Sequence, residues 1–518
     1  MLPPLIDFLE RQSAKAGWLN ALLLLLAGAS LVFSYAPYGY WFLAFPGLVL
    51  LCLPLPRLTA KASFWHGFWF ALGYFGAGMS WVHVSMYYFG GTGAILSIIL
   101  TFVFVAYLAI FPATAVYLLN RYFKQRDQLS YWLLAWPFCW FLMEWVRGWF
   151  FTGLPWLNIG HGQINGPLAE FAPVLGANLM SILVILWVGV VVLWLRTTAN
   201  INLETDAQQS KKKVQKAALI VTFILVASNL AVSQITWVEP SNESIRVAML
   251  QPKVAQDKKW DTKYRFAAMR HLYQETKNLD EPLIIWPEAA IPALAYQVQD
   301  FLDAVDSMAE SNAQTILTGI PIERNNKYYN AVTLLGQSEG EYSKRHLVLF
   351  GEYVPFEEQI RGLIEFFDMP MSSFSKGALD QPRLVIDGHQ IAMAICFEIT
   401  FQDLVQQQVK DSRFLVTLSN DAWFGESVGP HQHLEIARLR ALENGIPVIR
   451  GTNDGISAFI DADGTLIKTL GKGVKGKLQH ELQLYRGETL YSRLGPQSIN
   501  LILFSLLVLG LILTARKK

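Results

Sequence analysis

Runs of apolar residues long enough to cross a bilayer, about 20 positions each, fill most of the first 238 residues and return at the end of the chain. They cover Trp18–Phe33, Tyr40–Leu55, Phe64–Met86, Ala94–Leu119, Tyr131–Phe151, Pro173–Leu195, Ala217–Val238 and Ile499–Thr514. The pattern predicts a polytopic helical bundle of about eight spans, the first two brief and separated only by Ser34–Gly39. Between the last two runs the texture changes. Short β-type runs at Ile245–Leu250, Leu283–Trp286, Thr315–Gly319, Ala331–Leu335, Phe414–Leu418, Val448–Gly451 and Ala458–Asp461 alternate in part with helical spacing at Lys263–Lys277, Asp300–Glu310 and His433–Asn444. Some strands adjoin and others are separated by helices, which predicts a layered α/β domain on a mixed sheet. Three parts are therefore expected: a seven-span bundle (1–238), a polar domain (239–497) and a C-terminal transmembrane helix with a basic tail (498–518).

Composition agrees with a membrane protein carrying a soluble part, since 53% of the 518 residues are hydrophobic and only 16% charged. The net charge of +1 gives no basis for nucleic-acid binding, so the distribution of charge matters more than its sum. Arg11 and Lys15 precede the first run, Arg57 and Lys61 follow the second, Arg121, Lys124 and Arg126 the fourth, Arg196 and Lys211–Lys213 with Lys216 the sixth, and Arg516–Lys518 the last. The alternate loops Ser34–Gly39 and Tyr87–Gly93 carry none. By the positive-inside rule both termini are cytoplasmic, the polar stretch 197–216 is a cytoplasmic loop, and the polar domain faces the periplasm or its equivalent. The first run lacks a strongly basic start and a cleavage site and is expected to be retained.

Three cysteines cannot make a disulfide framework. Cys52 and Cys139 lie inside apolar runs, which leaves Cys396 alone in the polar domain, closing the buried-strand pattern Ile391-Ala392-Met393-Ala394-Ile395-Cys396-Phe397-Glu398. Helical spacing at Phe397, Phe401, Leu404, Val405 and Val409 puts it on a strand-to-helix turn, where helix N–H groups are expected to favour the thiolate and to hold an oxyanion. A nucleophilic thiol needs a base, and charged candidates end two other stretches: Glu288 in Trp286-Pro287-Glu288-Ala289-Ala290-Ile291-Pro292, and Lys344 in Tyr342-Ser343-Lys344-Arg345-His346, followed by Phe350-Gly351-Glu352-Tyr353-Val354-Pro355.

Glu, Lys and Cys in that order, each on its own motif, resemble the nitrilase (carbon–nitrogen hydrolase) superfamily. With the apolar bundle added, the resemblance narrows to the apolipoprotein N-acyltransferase family. It extends to Gln251 and Trp260 in the 251–261 stretch, to Leu418-Ser419-Asn420-Asp421-Ala422-Trp423-Phe424-Gly425 and to Arg440–Gly455, and departs at Leu349 and Phe397, where Pro and Tyr are usual. The resemblance implies a nitrilase-like α-β-β-α sandwich, with Glu288 as general base, Lys344 as oxyanion stabiliser and Cys396 as nucleophile. It implies two-step exchange through a cysteine thioester, from a phospholipid acyl donor to the α-amino group of a diacylglyceryl-modified apolipoprotein acceptor, in a bacterial inner membrane. It also implies no cofactor, and a monomer is expected.

Glu352 and Glu398 are expected to orient Lys344 and keep it protonated, or to be structural ion pairs. Trp260, Phe397, Trp423 and Phe424 are candidates for the substrate wall, with ordinary core packing as the alternative. His346 lacks a second ligand, and no Cys/His cluster has metal spacing. Ile360, Leu363, Ile364, Phe366, Phe367, Met369, Met371 and Phe374 make an apolar stretch that is either an arm touching the bilayer or core. Glu144 and Arg147, three apart near the outer end of the fifth run, read as an i,i+3 ion pair at the interface or a headgroup grip. Two other function classes are open on the residues alone. One is a membrane-tethered amidase in which water resolves the acyl-enzyme; the other is a transporter with an accessory domain, weakened by the lack of paired charges within the runs.

Overall fold

Alternation along the strands decides which layer each side chain of the polar domain enters. In Val238–Gln251 (β1), Val247 and Met249 join one buried cluster while Ala248 and Leu250 join another. The same split recurs at Leu283–Ile285 (β2), where Leu283 and Ile285 face one way and Ile284 the other. Strands buried on both faces read as continuous apolar runs, which is what the sequence shows there. The structure is a computed structural model and describes residues 17–198, 207–353 and 374–515. Within these, the chain divides into two units: residues up to Ser80, Ile99–Ile235 and Pro496 onward in one, Trp81–Ile98 and Thr236–Gly495 in the other.

The second unit holds two six-stranded sheets rather than one. The first runs Gly476–Gly487 (β12), β1, β2, Thr315–Arg324 (β3), Lys327–Gly336 (β4) and Glu341–Ser343 (β5). The second runs Leu466–Leu470 (β11), Ser457–Ile460 (β10), Val448–Thr452 (β9), Leu415–Ser419 (β8), His389–Ile395 (β7) and Leu384–Ile386 (β6). In each, three central strands are parallel (β1-β2-β3 and β7-β8-β9) and antiparallel strands flank them. Val247, Met249, Ile285 and Leu317 of one sheet share a core with Met393, Ile395, Val416, Leu418, Ile449 and Phe459 of the other. The outer face of the first sheet packs on Thr262–Thr276 and Gln299–Ser311 through Met269, Leu272, Leu302, Val305 and Ala309. Helices Gln402–Val409 and Gly429–Asn444 lie on the second sheet, completing α-β-β-α layering. Such a sandwich gathers the carboxyl ends of its parallel strands at one rim, the usual place for a site in open α/β sheets.

Among the described residues, four helices are long and apolar enough to cross a membrane by length and composition: Ala94–Tyr122, Pro167–Thr198, Lys212–Val232 and Pro496–Ala515. The coarser expectation, an apolar helical part beside an α/β domain, is met by these helices. Of the remaining runs, one forms the continuous 20-residue helix Ala60–Met79, less apolar than these four, and the others are shorter or broken. Trp18–Ala29 tightens into a 3₁₀ turn at Ser30–Ser34, and Trp41–Leu43 is separate from Ala44–Cys52, beyond which Pro54 cannot donate to a continuing ladder. Tyr131–Ala135 is a π-turn ahead of Trp136–Arg147. Trp18–Ala29 and Ala60–Met79 meet backbone to backbone: a Cβ on Gly28 would overlap the Phe70 carbonyl oxygen, and one on Gly73 that of Leu25. Some of the polar side chains buried in the first unit pair with one another and with carbonyls, as apolar surroundings favour. Asn120 Nδ2 donates to the Leu55 carbonyl at 2.6 Å, while Tyr131 donates to Asn120 Oδ1 at 2.6 Å.

Residues Trp81–Ile98, which the hydropathy pattern puts in the bundle, belong to the sandwich unit. Trp81 meets Phe424 edge-on with ring centroids 4.6 Å apart, Phe89 meets Trp423 at 5.4 Å, and Ser85 Oγ donates to the Trp423 carbonyl at 2.7 Å. These anchors outweigh the chain's continuity with its apolar neighbours.

Candidate active site

The buried strand β7 ends at Ile395, and Cys396 turns the chain with φ of +53°, a left-handed conformation costly for a residue with a Cβ. Cys396 opens a five-residue 3₁₀ turn, Cys396–Thr400, and the α-helix starts only at Gln402. So short a turn has little of a helix's N-terminal field. Burial pushes the Cys396 thiol far above its ordinary value and Glu288 pushes it further; Lys344 opposes them, while Asp421 and Glu352 add to the rise. The expected stabilisation of thiolate is therefore overturned: Cys396 rests as a thiol, and its proton must leave as it attacks.

Glu288 follows β2 on a turn whose next residue, Ala289, is also left-handed. Its Oε1 accepts from Asn330 Nδ2 at 2.8 Å and lies 3.8 Å from Lys344 Nζ. Lys344, 1% exposed, follows the edge strand β5 and donates to Glu352 Oε1 at 2.8 Å. Asn330 Nδ2 also reaches Glu352 Oε1 at 2.9 Å, so one amide and one ammonium tie the two carboxylates together. Burial works against the ammonium, but Glu352, Glu288 and Cys396 outweigh it and hold Lys344 above the ordinary lysine value. Glu352 completes its set by accepting from the Val348 N–H at 2.8 Å. Backbone packing fixes the Glu288 turn, because a Cβ on Gly319 of β3 would lie 2.5 Å from the Ala289 nitrogen and 2.8 Å from the Glu288 Cα. Gly319→Ala must push that turn aside, and since a 1 Å misplacement can cost about 10²-fold, acyl transfer should fall by roughly that factor while the protein still folds. Steady-state transfer rates beside a melting curve check this.

Glu398 is fully buried and does something other than hold Lys344. It accepts from the N–H groups of Arg345 (2.6 Å), His346 (3.0 Å) and Ile395 (2.8 Å) and from the Tyr342 hydroxyl (3.0 Å). Burial raises its pKa, and the Ile395 N–H, the Lys344 charge and the His346 and Arg345 N–H groups pull the other way. One carboxylate thus pins the backbone after Lys344 to the backbone before Cys396, holding two site residues on different strands in register.

Several residues beyond the expected site set also reach the site. Lys259, 2% exposed and adjacent to the expected Trp260, donates to the Glu288 carbonyl at 3.1 Å, and burial draws its pKa down to about 8 against the pull of Glu288 and Cys396. Behind the sulfur, Ser419 at the end of β8 lies with its Oγ 3.6 Å from Cys396 Sγ and donates to Asp421 Oδ1 at 2.6 Å. Asp421 Oδ2 accepts from Arg450 of β9 at 2.6 Å, and His433 Nδ1 lies 3.0 Å from Oδ1. His433 Nε2 is 3.2 Å from the Cys396 carbonyl oxygen. Burial would raise Asp421, but Arg450 and His433 hold it well below the carboxylate range. Burial and Arg450 lower His433 in turn, while Asp421 and the Cys396 carbonyl pull it up. A charged residue inside the apolar β9 run was the sequence signal for this cluster, since a buried guanidinium requires a carboxylate.

Trp260 is half-buried in the turn before Thr262–Thr276. Phe397 packs edge-on against Phe401 at 5.1 Å, and Trp423 and Phe424 pack against Phe89 and Trp81. His346 stacks at 3.6 Å on Phe401, and burial with Lys376 and Lys344 lowers it to about 4. Gln251 staples strands: its Oε1 accepts from Thr452 and Ser457, and its Nε2 donates to the carbonyls of Gly471 and Val474. The apolar stretch from Ile360 to Met371, including Phe366, lies outside the described residues; Phe374 begins the next described segment and is buried. In the other unit, Glu144 and Arg147 are buried. Arg147 donates to the carbonyls of Leu154 and Trp156 and to Asn158 Oδ1, while Glu144 Oε1 accepts the Ile159 N–H at 2.8 Å, so both grip the 154–159 loop.

A thiol, a carboxylate and a charge-held lysine at the rim of an α-β-β-α sandwich define a carbon–nitrogen hydrolase domain, and residues 246–490 match the carbon-nitrogen hydrolase family model. Residues 27–191 match that of the apolipoprotein N-acyltransferase N-terminal domain. The chain is 39% identical to an apolipoprotein N-acyltransferase of Vibrio parahaemolyticus, covering 90% of this chain and 92% of that one, and 39% identical to one of Photobacterium profundum, covering 96% and 95%. A solved carbon–nitrogen hydrolase superfamily protein of Xanthomonas campestris is 15% identical, with a TM-score of 0.34, over 46% of this chain and 91% of that one. The chain belongs to the apolipoprotein N-acyltransferase family.

Proposed function

We propose that this protein moves a fatty acyl chain from a membrane phospholipid onto the α-amino group of a diacylglyceryl-modified N-terminal cysteine, through a thioester on Cys396. The observation that carries the reading is Lys344, buried between Glu288 and Glu352 beside the Cys396 turn. In the first half, Cys396 Sγ attacks the ester carbonyl as Glu288 takes the thiol proton. Lys344 faces the alkoxide that forms, a contribution on the order of a few kcal/mol in a water-poor site. Glu288 returns the proton to the departing lysophospholipid oxygen, and the acyl group stays on sulfur. In the second half, the acceptor amine attacks the thioester, Glu288 accepts the amine proton, and the expelled sulfur takes it back as thiol. Neutral attack suits a site where the thiol rests protonated, because bond formation and proton removal proceed together.

Glu352 acts by holding Lys344, and Glu398 by fixing the backbone on both sides of the site. Trp260, Phe397, Trp423 and Phe424 are assigned to the walls that receive acyl chains. The reading includes eight spans with both termini cytoplasmic, supported by the alternation of basic loops, so that the sandwich works on the periplasmic side of a bacterial inner membrane as a monomer.

The test is the intact mass of purified protein incubated with phospholipid. One acyl adduct on Cys396 is expected, discharged by a diacylated lipopeptide and stable in buffer; discharge by water at the same rate would make the protein an amidase. Glu288→Gln keeps the Asn330 contact but cannot take a proton. Both adduct formation and discharge should slow by about 10²–10⁴-fold, and an unchanged rate in either half would remove Glu288 as the base.

A further inference from the structure

We propose that Ser419 is a positioning residue for the nucleophile: its hydroxyl rests on Asp421 and turns to donate to Cys396 Sγ whenever that sulfur carries negative charge. The proposal rests on the reading of Cys396 as the acyl carrier. Ser419 Oγ sits between two acceptors, 2.6 Å from Asp421 Oδ1 and 3.6 Å from Cys396 Sγ, and it has one proton to give. Rotation about a single bond moves that proton from one to the other. While Cys396 is a thiol or a thioester, its sulfur is a poor acceptor and the carboxylate keeps the proton. Once the sulfur is anionic, it competes, because a hydrogen bond to a charged acceptor is the stronger kind.

Asp421 can release the hydroxyl because it is otherwise supported. Arg450 Nη2 donates to Oδ2 at 2.6 Å, and His433 lies beside Oδ1 at 3.0 Å. Through His433, whose Nε2 is 3.2 Å from the Cys396 carbonyl, the same cluster also holds the backbone of the strained turn. The donor is therefore fixed relative to the sulfur from both ends of one residue. Among the described charged neighbours of the sulfur, Glu288, Glu352 and Asp421 are anionic and oppose charge on it, while Lys344 is engaged with Glu352 and Glu288, and Lys259 with the Glu288 carbonyl. Negative charge builds on the sulfur twice per turnover, in part as its proton leaves during attack and again when the amine expels it, so the device serves both halves.

The test is alkylation of Cys396 by iodoacetamide in the full-length protein in detergent, followed by mass against pH. Ser419→Ala should displace the rate curve to higher pH by about one unit, a tenfold lower rate at fixed pH, since hydrogen bonds to charged groups are worth about that or more. Ser419→Thr, which keeps a hydroxyl, and Ser419→Val, its isostere without one, form a second pair. The Val curve should lie above the Thr curve in pH by the same interval. A packing role alone would lower melting temperature and leave the curves superposed, and superposed curves for Ala and wild type, or for Val and Thr, overturn the proposal. No lipid enters this assay, so its failure is distinct from failure of the acyl-adduct experiment.

Discussion

Cys396→Ala is expected to yield a folded protein that carries no acyl adduct and transfers nothing measurable, a loss of about four orders of magnitude or more, on the order of 5 kcal/mol in the barrier. No other described cysteine can substitute, because Cys52 and Cys139 are fully buried among apolar side chains of the other unit, where no solvent or substrate reaches the thiol. Stability should change little. Alanine meets the same left-handed backbone requirement as cysteine, the side chain is only partly buried, and Ser419 keeps its bond to Asp421. Intact mass after incubation with phospholipid, beside a melting curve, checks both parts. A surviving adduct at another residue would move the nucleophile elsewhere.

Lys344→Met should be more damaging to the molecule as a whole. The ammonium is all but inaccessible and separates two carboxylates that share the amide of Asn330. Breaking a buried ion pair from one side costs about 3–5 kcal/mol, because the remaining charge stays buried and unpaired. Here two carboxylates would face each other, and the native variant would relieve the repulsion by binding a proton. With more protons on the folded than on the unfolded state, stability falls as pH rises, so the deficit should be larger at neutral pH than near the carboxylate range. Acyl-adduct formation should fall by about 10²–10³-fold even where the variant is folded, from loss of the charge facing the alkoxide. Melting curves at acidic and neutral pH separate the two effects. Equal deficits at both would mean that Glu288 and Glu352 do not share a charge.

Much of the sandwich was legible because its central strands are buried on both faces and spell themselves out as apolar runs, from Leu283–Ile285 to Val448–Thr452. The edge strands Leu466–Leu470 and Gly476–Gly487 were missed, because exposed edges mix Lys, Gln and His with Leu and carry no clean period. Glu288, Lys344 and Cys396 stood out through their motifs, and they come together at one rim. Their helpers did not: Lys259 hides in a charged turn, Asn330 is one amide in a β-hairpin, and His433 opens an ordinary helical pattern. Each acquires its role through contacts made dozens of residues away, which no local pattern encodes. The thiolate expectation failed for a related reason, since spacing alone did not reveal a 3₁₀ turn before the helix or the carboxylates gathered around the sulfur.

Trp81–Ile98 reaches the sandwich from a point in the chain some 140 residues before its first strand. A gene fragment that starts at the polar domain would therefore encode a product missing one of its own pieces, with Trp423 and Phe424 stripped of their aromatic partners and open to self-association. Excising the enzyme from its anchor is thus not a matter of choosing a cleaner cut site. Either the missing segment must be grafted back, or the two halves must be made together.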